Sequence, residues 1–461
     1  MTGIKRYINE GKPYYKRMLA VAIPIMIQNG ITNFVSMLDN IMVGRIGTLE
    51  MTGVSIVNQL MLVFGLCVFG AMSGVGIFTA QFYGKKDDKG IRSTLQLKLI
   101  LSFVISAVAL LIFLTMSDTF IGAYIDKGSD PEDILKVTSF AKSYLNIMLI
   151  GGLPFAVTQA YAGTLRETSD RITPMLATVI AVFVNLVLNY CLIFGHFGFP
   201  ELGVKGAATA TVIARFTELS ILVVRAHVSK KKYPFMKGFF SKLSLDGKMI
   251  KKIILVAVPL MVNEGLWSGG MAFLNQCYSV RGLDVVAATN ILSTLTNVFN
   301  VSFIALGSAI GIILSQMLGA NEKKQAKESS EKMLVFSVAV VVVIGAVMAC
   351  FAPFFPKIYN TGETVRSLAC SLILITSCFF PVHAFTNACY FTLRSGGNTF
   401  ITFLFDSGFV CTVCAPVAFI ISRYTDMNIL PFYILIQSID ILKCIVGYYF
   451  MKKGKWLNTV V

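Results

Sequence analysis

The sequence predicts an all-α polytopic membrane protein with twelve transmembrane helices in two six-helix lobes related by pseudo-two-fold symmetry. Three observations carry that expectation. Of 461 residues, 55% are hydrophobic and only 14% charged, against about 25% charged in an ordinary soluble domain, and the mean hydropathy is +0.72. Apolar runs long enough to cross a ~30 Å hydrocarbon core, which takes about 20 residues, recur along the whole chain. The second half of the sequence also repeats the first.

The runs span 17–42, 52–82, 92–116, 136–163, 172–195, 204–226, 250–278, 285–318, 330–352, 366–393, 399–422 and 429–451. The first follows a basic segment, contains Pro24, Gln28 and Asn29 and has no small-residue cleavage site; it therefore reads as a retained helix and not a signal peptide. The second and eighth carry Gly70/Gly74 and Gly307/Gly311, small residues spaced i,i+4 that let helix backbones approach. The Gly74-Val75-Gly76 step lacks the preceding strand and following Lys-Ser/Thr of a nucleotide loop. The fifth run holds Asn185 and Asn189 on one face. The sixth and twelfth each hold an acid and a base at i,i+3, Arg215 with Glu218 and Asp440 with Lys443, pairs that can neutralise themselves along one helix. All ten cysteines lie in or at the ends of apolar runs, as small hydrophobes do. Cys411 and Cys414 form one C-x-x-C without the second pair or histidine of a zinc site.

Basic residues alternate between successive loops. The side holding both termini and the central loop has 28 Lys and Arg, the opposite side nine, and Lys98, Arg215 and Lys443 fall inside runs. The positive-inside rule then places both termini and the central loop in the cytoplasm, and the chain in the cell's inner membrane. The acid-rich stretch from Asp118 to Asp133 falls on the external side. The net charge of +16 would suggest nucleic-acid binding in a soluble chain. Hydropathy excludes that partner, and the lysine-rich loop reads as a solvated linker meeting the inner leaflet of the bilayer.

Residues 16–84 align without a gap to 251–319 at an offset of 235, with identities that include Pro24/Pro259, Gly30/Gly265, Gln81/Gln316 and Gly84/Gly319. Thr164-Leu165-Arg166 matches Thr392-Leu393-Arg394 at an offset of 228. The organisation expected is a six-helix lobe over 1–225, a linker over 226–250 and a second six-helix lobe over 251–461. An even number of helices per half gives both the same orientation, the parallel repeat of two-lobed secondary transporters.

Ionisable residues at membrane depth are costly and so are functional candidates. They comprise Asp39, Glu218, Glu264, Asp406 and Asp440 with the three bases above. Asp39 and Glu264 have no nearby base in sequence. Asp39, about four turns after Pro24, reaches depths compatible with Asn185 and Asn189. A carboxylate with two amide carbonyls suits a hard cation such as Na⁺, or a proton on the carboxylate; equally, the asparagines could simply hydrogen-bond across helices. Three histidines without a paired metal-binding motif give no support to an enzyme.

These features resemble the multidrug and toxic compound extrusion (MATE) family of cation-coupled efflux transporters over nearly the full length. The carrying motifs are AIPIMIQNG and SMLDNIMVGRIG in the first run, Gln81-Phe82-Tyr83-Gly84, FVNLVLNYCLIFG, GVKGAATATVIAR, VPLMVNEG and TLRSGGNT. The resemblance implies a coupling-cation site at Asp39, Asn185, Asn189 and Thr211, with Asp39, Asn185 and Asn189 as ligands if the ion is Na⁺. It matches Glu264 to a glutamate of NorM-like members, whose further acid is missing here with His383 at or near its position, so that Glu264 and His383 become second-lobe titratable candidates. It implies no cofactor beyond Na⁺ or H⁺ as coupling ion, a monomer, a drug-like cationic or amphipathic substrate and antiport by alternating access, with Pro24 permitting helix bending. A lipid-linked saccharide flippase of the same superfamily is the alternative, for which several cavity arginines or lysines are expected.

Overall fold

The computed structural model describes residues 2–124, 130–240 and 247–461, with side-chain surroundings from residue 11. It is helical nearly throughout. The helices are α1 (Thr2–Gly44), α2 (Thr48–Lys85), α3 (Asp88–Tyr124), α4 (Pro131–Ile150), α5 (Gly152–Glu167), α6 (Ile172–Phe194), α7 (Val204–Val228), α8 (Gly247–Ser279), α9 (Leu283–Gly319), α10 (Lys323–Phe351), α11 (Glu363–Ser395), α12 (Thr399–Phe403), α13 (Ala415–Tyr424) and α14 (Ile429–Lys453). Two π-helical turns, Leu404–Gly408 and Val410–Cys414, join α12 to α13.

Every apolar run of the sequence becomes a helix or a broken helix. Among the described residues ten helices are long and apolar enough to cross a membrane, and the α4/α5 pair, bent by 45°, makes an eleventh. The seventh run, 250–278, is the 33-residue α8, about 50 Å long at 1.5 Å per residue. It is not among these, and it carries the polar residues Asn263, Glu264, Ser268, Asn275 and Gln276. The break in the fourth run has a local cause. Pro154 cannot donate to the carbonyl of residue 150, and Arg215 Nη1 takes up the Gly151 carbonyl at 3.1 Å.

The chain groups into two compact units. One comprises Met1–Met26, Ala80–Asp87 and Lys251–Val461; the other comprises Ile27–Thr79 and Asp88–Ile250. The sequence halves and the units therefore differ at the first two helices: residues 1–26 of α1 and 80–85 of α2 group with the second half. The change along α1 falls two residues after Pro24. The repeat is visible in backbone irregularities as well as in identities. Lys86 (φ 62°) and Asn321 (φ 62°) are both left-handed at the offset of 235, and Ser169 (φ 70°) and Gly397 (φ 75°) at 228. Two halves that turn corners at matching positions share a fold and not merely a composition.

Each unit has its own apolar interior. In the second-half unit it runs from Met18, Val21 and Ala22 through Ala305, Leu306 and Ile310 to Phe380 and Phe432, all fully buried. Large apolar side chains such as Phe103, Leu111, Val343 and Ile445 stay exposed, as surfaces facing lipid do. The segment after α7 is tied down in the first-half unit. Asp170, in the α5–α6 turn, accepts from Lys232 Nζ at 2.7 Å, from Thr173 and from the Tyr233 hydroxyl. Burial alone would raise the Asp170 carboxyl, but the hydrogen bonds from Lys232, Tyr233 and Thr173 outweigh it and hold its pKa below the ordinary value.

Candidate cation site

Three helices of the first-half unit converge on Asp39. Asn189 Nδ2 donates to Asp39 Oδ1 at 2.6 Å and lies 3.2 Å from Asn185 Oδ1. Asn185 Nδ2 is 3.3 Å from Thr211 Oγ1, whose hydroxyl donates to the Ala207 carbonyl. With its amide turned by half a rotation, Asn185 donates to both Asp39 oxygens, at 3.1 and 3.2 Å. The four residues named from the sequence are thus one cluster: Asp39 from α1, the i,i+4 pair from α6 and Thr211 from α7. Asn185 and Asn189 are buried and Asp39 is half-buried. The amide oxygen of Asn189 is buried without a hydrogen-bond partner, a condition that costs free energy unless something else is bound there.

The donor set is all oxygen, one carboxylate with amide and hydroxyl groups. That chemistry suits a hard cation or a proton and not a soft transition metal. No group of three or more His, Cys, Asp or Glu that could hold a metal occurs among the described residues, so a site here would rest on neutral oxygens around a single carboxylate. Tyr144 of α4, absent from the sequence reading, brings its buried hydroxyl beside Thr211 and within 3.5 Å of Asn58 Oδ1. Tyrosine at an arbitrary helix position carries no spacing signal that could have found it.

The second-half candidates are not brought together as a pair. Glu264 Oε1 accepts from the Tyr390 hydroxyl at 3.1 Å. His383 Nε2 lies 3.2 Å from Gln437 Oε1 and 3.6 Å from Asp440 Oδ2. Helix spacing also misassigns the bases. Lys443 pairs with Asp406 at 2.7 Å and not with Asp440 three residues before it. Arg215 caps the α4/α5 break, while Glu218 accepts from Thr178 Oγ1. The reason is shared: in a bundle the neighbouring helix offers a shorter, better-aligned partner than the next turn of the same helix.

Asp406 sits in the first π-helical turn, a geometry common at functional positions. Asn263 of α8 holds that turn: its Oδ1 accepts from Ser407 N (3.2 Å) and Ser407 Oγ (2.7 Å), and its Nδ2 donates to Asp406 Oδ2 (3.0 Å). Lys98, fully buried, pairs with Glu167 at 2.6 Å. Glu167 escapes the sequence reading because it lies four residues beyond the fourth apolar run, at the end of α5, although a solitary buried lysine demands such a partner.

A family profile described as MatE matches residues 24–191 and 259–420. Among curated relatives, the "Probable multidrug resistance protein NorM" of Thermotoga maritima is 25% identical over 447 residues, covering 97% of this chain and 94% of that one. The "Probable multidrug resistance protein YoeA" of Bacillus subtilis is 24% identical, covering 97% and 96%. Among solved structures, MATE in the bent conformation superposes with a TM-score of 0.84 at 19% identity over 95% of both chains. The outward-facing conformation of a multidrug resistance MATE family transporter does so with 0.84 at 18%, again over 95% of both. The matched profile falls on both halves of the repeat, takes in Asp39, Asn185 and Asn189, and covers most of the chain: this multi-pass membrane protein belongs to the MatE family.

Proposed function

We propose that the protein is a secondary transporter that exports cationic or amphipathic small molecules in exchange for Na⁺ or H⁺, and that Asp39 is its coupling carboxylate. The names of the NorM and YoeA relatives support drug efflux. The observation that carries the coupling assignment is the Asp39 cluster, with its unpartnered Asn189 oxygen. A cation there would take Asp39, Asn185 and Asn189 as ligands with Thr211 adjoining; a proton would sit on Asp39 itself. Either neutralises a half-buried carboxylate set among neutral groups and so changes which packing of α1 is favoured. Coupling follows if cation and drug favour different states, since a ligand of equal affinity for both shifts nothing. Pro24, which leaves the carbonyl one turn earlier without its helix donor, lies next to the point where α1 passes from one compact unit to the other. That is a natural place for α1 to flex.

The lipid-linked saccharide alternative asks for free cavity bases. Lys98, Arg215 and Lys443 are instead engaged by Glu167, the Gly151 carbonyl and Asp406, which favours drug export. By the distribution of basic residues, the protein lies in the inner membrane with both termini cytoplasmic. The test is transport in proteoliposomes with Na⁺ and pH gradients imposed separately. Asp39→Asn should lower cation-driven efflux by at least about tenfold, within the usual range of coupling energies. Undiminished efflux would remove Asp39 from the mechanism, and saccharide-lipid flipping without drug transport would replace the function.

A further inference from the structure

The repeat makes a reciprocal contact at the ends of α2 and α9. A Cβ on Gly84 would run into the Gln316 carbonyl, and a Cβ on Gly319, its counterpart 235 residues on, would run into the Gln81 carbonyl. The two helices approach this closely because both positions are glycine. The side chains beside the crossing break the symmetry. Arg17 Nη2 donates directly to Gln316 Oε1 at 2.8 Å. Their counterparts, Lys252 and Gln81, are joined through Val460. Lys252 Nζ donates to the Val460 carbonyl at 2.8 Å, and the Val460 N–H donates to Gln81 Oε1 at 2.7 Å. Gln81 Nε2 donates in turn to the Asn458 and Ser395 carbonyls, both at 3.2 Å.

Gln81 is fully buried. Two of its three hydrogen bonds therefore depend on the short segment after α14. That segment is itself anchored: Trp456 is buried with Nε1 donating to the Met451 carbonyl at 3.0 Å, and Thr459 Oγ1 donates to the Leu318 carbonyl at 3.1 Å. Gly396 lies under the Trp456 carbonyl, where a Cβ would collide, and Gly397 lies against the Val460 side chain. One strip of backbone thus fastens the ends of α2, α8, α9 and α11.

We propose that residues 455–460 form a clasp. The clasp stands in for the direct Arg17–Gln316 type of contact, holds the Gly84–Gly319 crossing closed, and releases each time this end of the molecule opens. It rests on the alternating-access reading above, in which one end must open for each transport cycle.

The test uses a variant in which the ten native cysteines are replaced and Ser395, buried and bonded to Gln81, is changed to cysteine as the only reporter. Maleimide labelling of Ser395→Cys should be slow and should quicken by at least about tenfold when Gln81→Leu is added, which removes all three hydrogen bonds of the Gln81 side chain. Lys252→Met, which removes only the bond to Val460, should quicken it by a few fold and serves if Gln81→Leu does not reach the membrane. Unchanged labelling in both variants overturns the clasp, whatever transport does. Faster labelling in a protein that moves no drug keeps the clasp and removes the transport reading.

Discussion

Asp39 in the first half and Asp406 in the second are each a membrane-depth carboxylate held by asparagine, yet their surroundings differ. Asp39 meets the Asn189 amide and, with that side chain turned, the Asn185 amide. Asp406 meets Lys443 at 2.7 Å, with Arg394 bonded to the neighbouring Tyr390. At the repeat offsets Asp39, Asn185, Asn189 and Thr211 fall on Leu274, Val413, Val417 and Ile439, so the second half has no counterpart of the first cluster. Conversely Gln28 and Thr178, bonded at 2.8 Å, fall on Asn263 and Asp406, bonded at 3.0 Å. The common scaffold keeps one interhelical bond at equivalent positions. In the second half Lys443 sits directly on that carboxylate, whereas Asp39, the carboxylate proposed above for coupling, is met by the Asn189 amide.

The comparison can be broken in several ways. Lys443→Met should have the largest effect, lowering thermal stability in detergent by about 3–5 kcal/mol, because a buried Asp406 left without its cation is strongly unfavourable. The double variant with Asp406→Asn should recover most of that loss, and failure to recover would mean that Lys443 acts outside the pair. Asn189→Ala should weaken the coupling cation's half-saturation by about tenfold, one charge-assisted contact, read from efflux against cation concentration. An equal effect from Asn263→Ala would erase the distinction between the halves.

A smaller effect is expected at the Asp170 anchor. Asp170→Asn should destabilise residues 229–240 locally by about 1–2 kcal/mol, seen as faster amide exchange there. Because the Asp170 pKa is lowered on folding, its contribution is complete above the ordinary carboxylate value of about 3.9. That contribution is lost as pH falls through the lowered one, so the anchor should loosen only in acid. Glu264→Gln should change cation-driven efflux least, by less than about threefold. Abolition of efflux comparable to Asp39→Asn would make the second half a coupling site in its own right.

The sequence by itself determined the helical membrane fold and the duplication, and the family resemblance it carries pointed to Asp39, Asn185, Asn189 and Thr211. Hydropathy, a gapless offset and an i,i+4 asparagine pair are one-dimensional signals, and a bilayer forces them into one kind of structure, since backbone groups in lipid must be satisfied within helices. The broken fourth run was legible only as an unusually long one with a proline. The tertiary structure alone decided which charges meet. Asp440–Lys443 and Arg215–Glu218 were fair guesses from spacing, but Lys443 found Asp406 on a π-helical turn and Arg215 found a carbonyl at a helix break. The clasp at Gln81 was equally hidden, because its partners lie hundreds of residues apart and several are backbone atoms, which carry no side-chain signature. Long-range pairing depends on which helix faces present their polar groups at contact distance, and packing fixes that where composition does not.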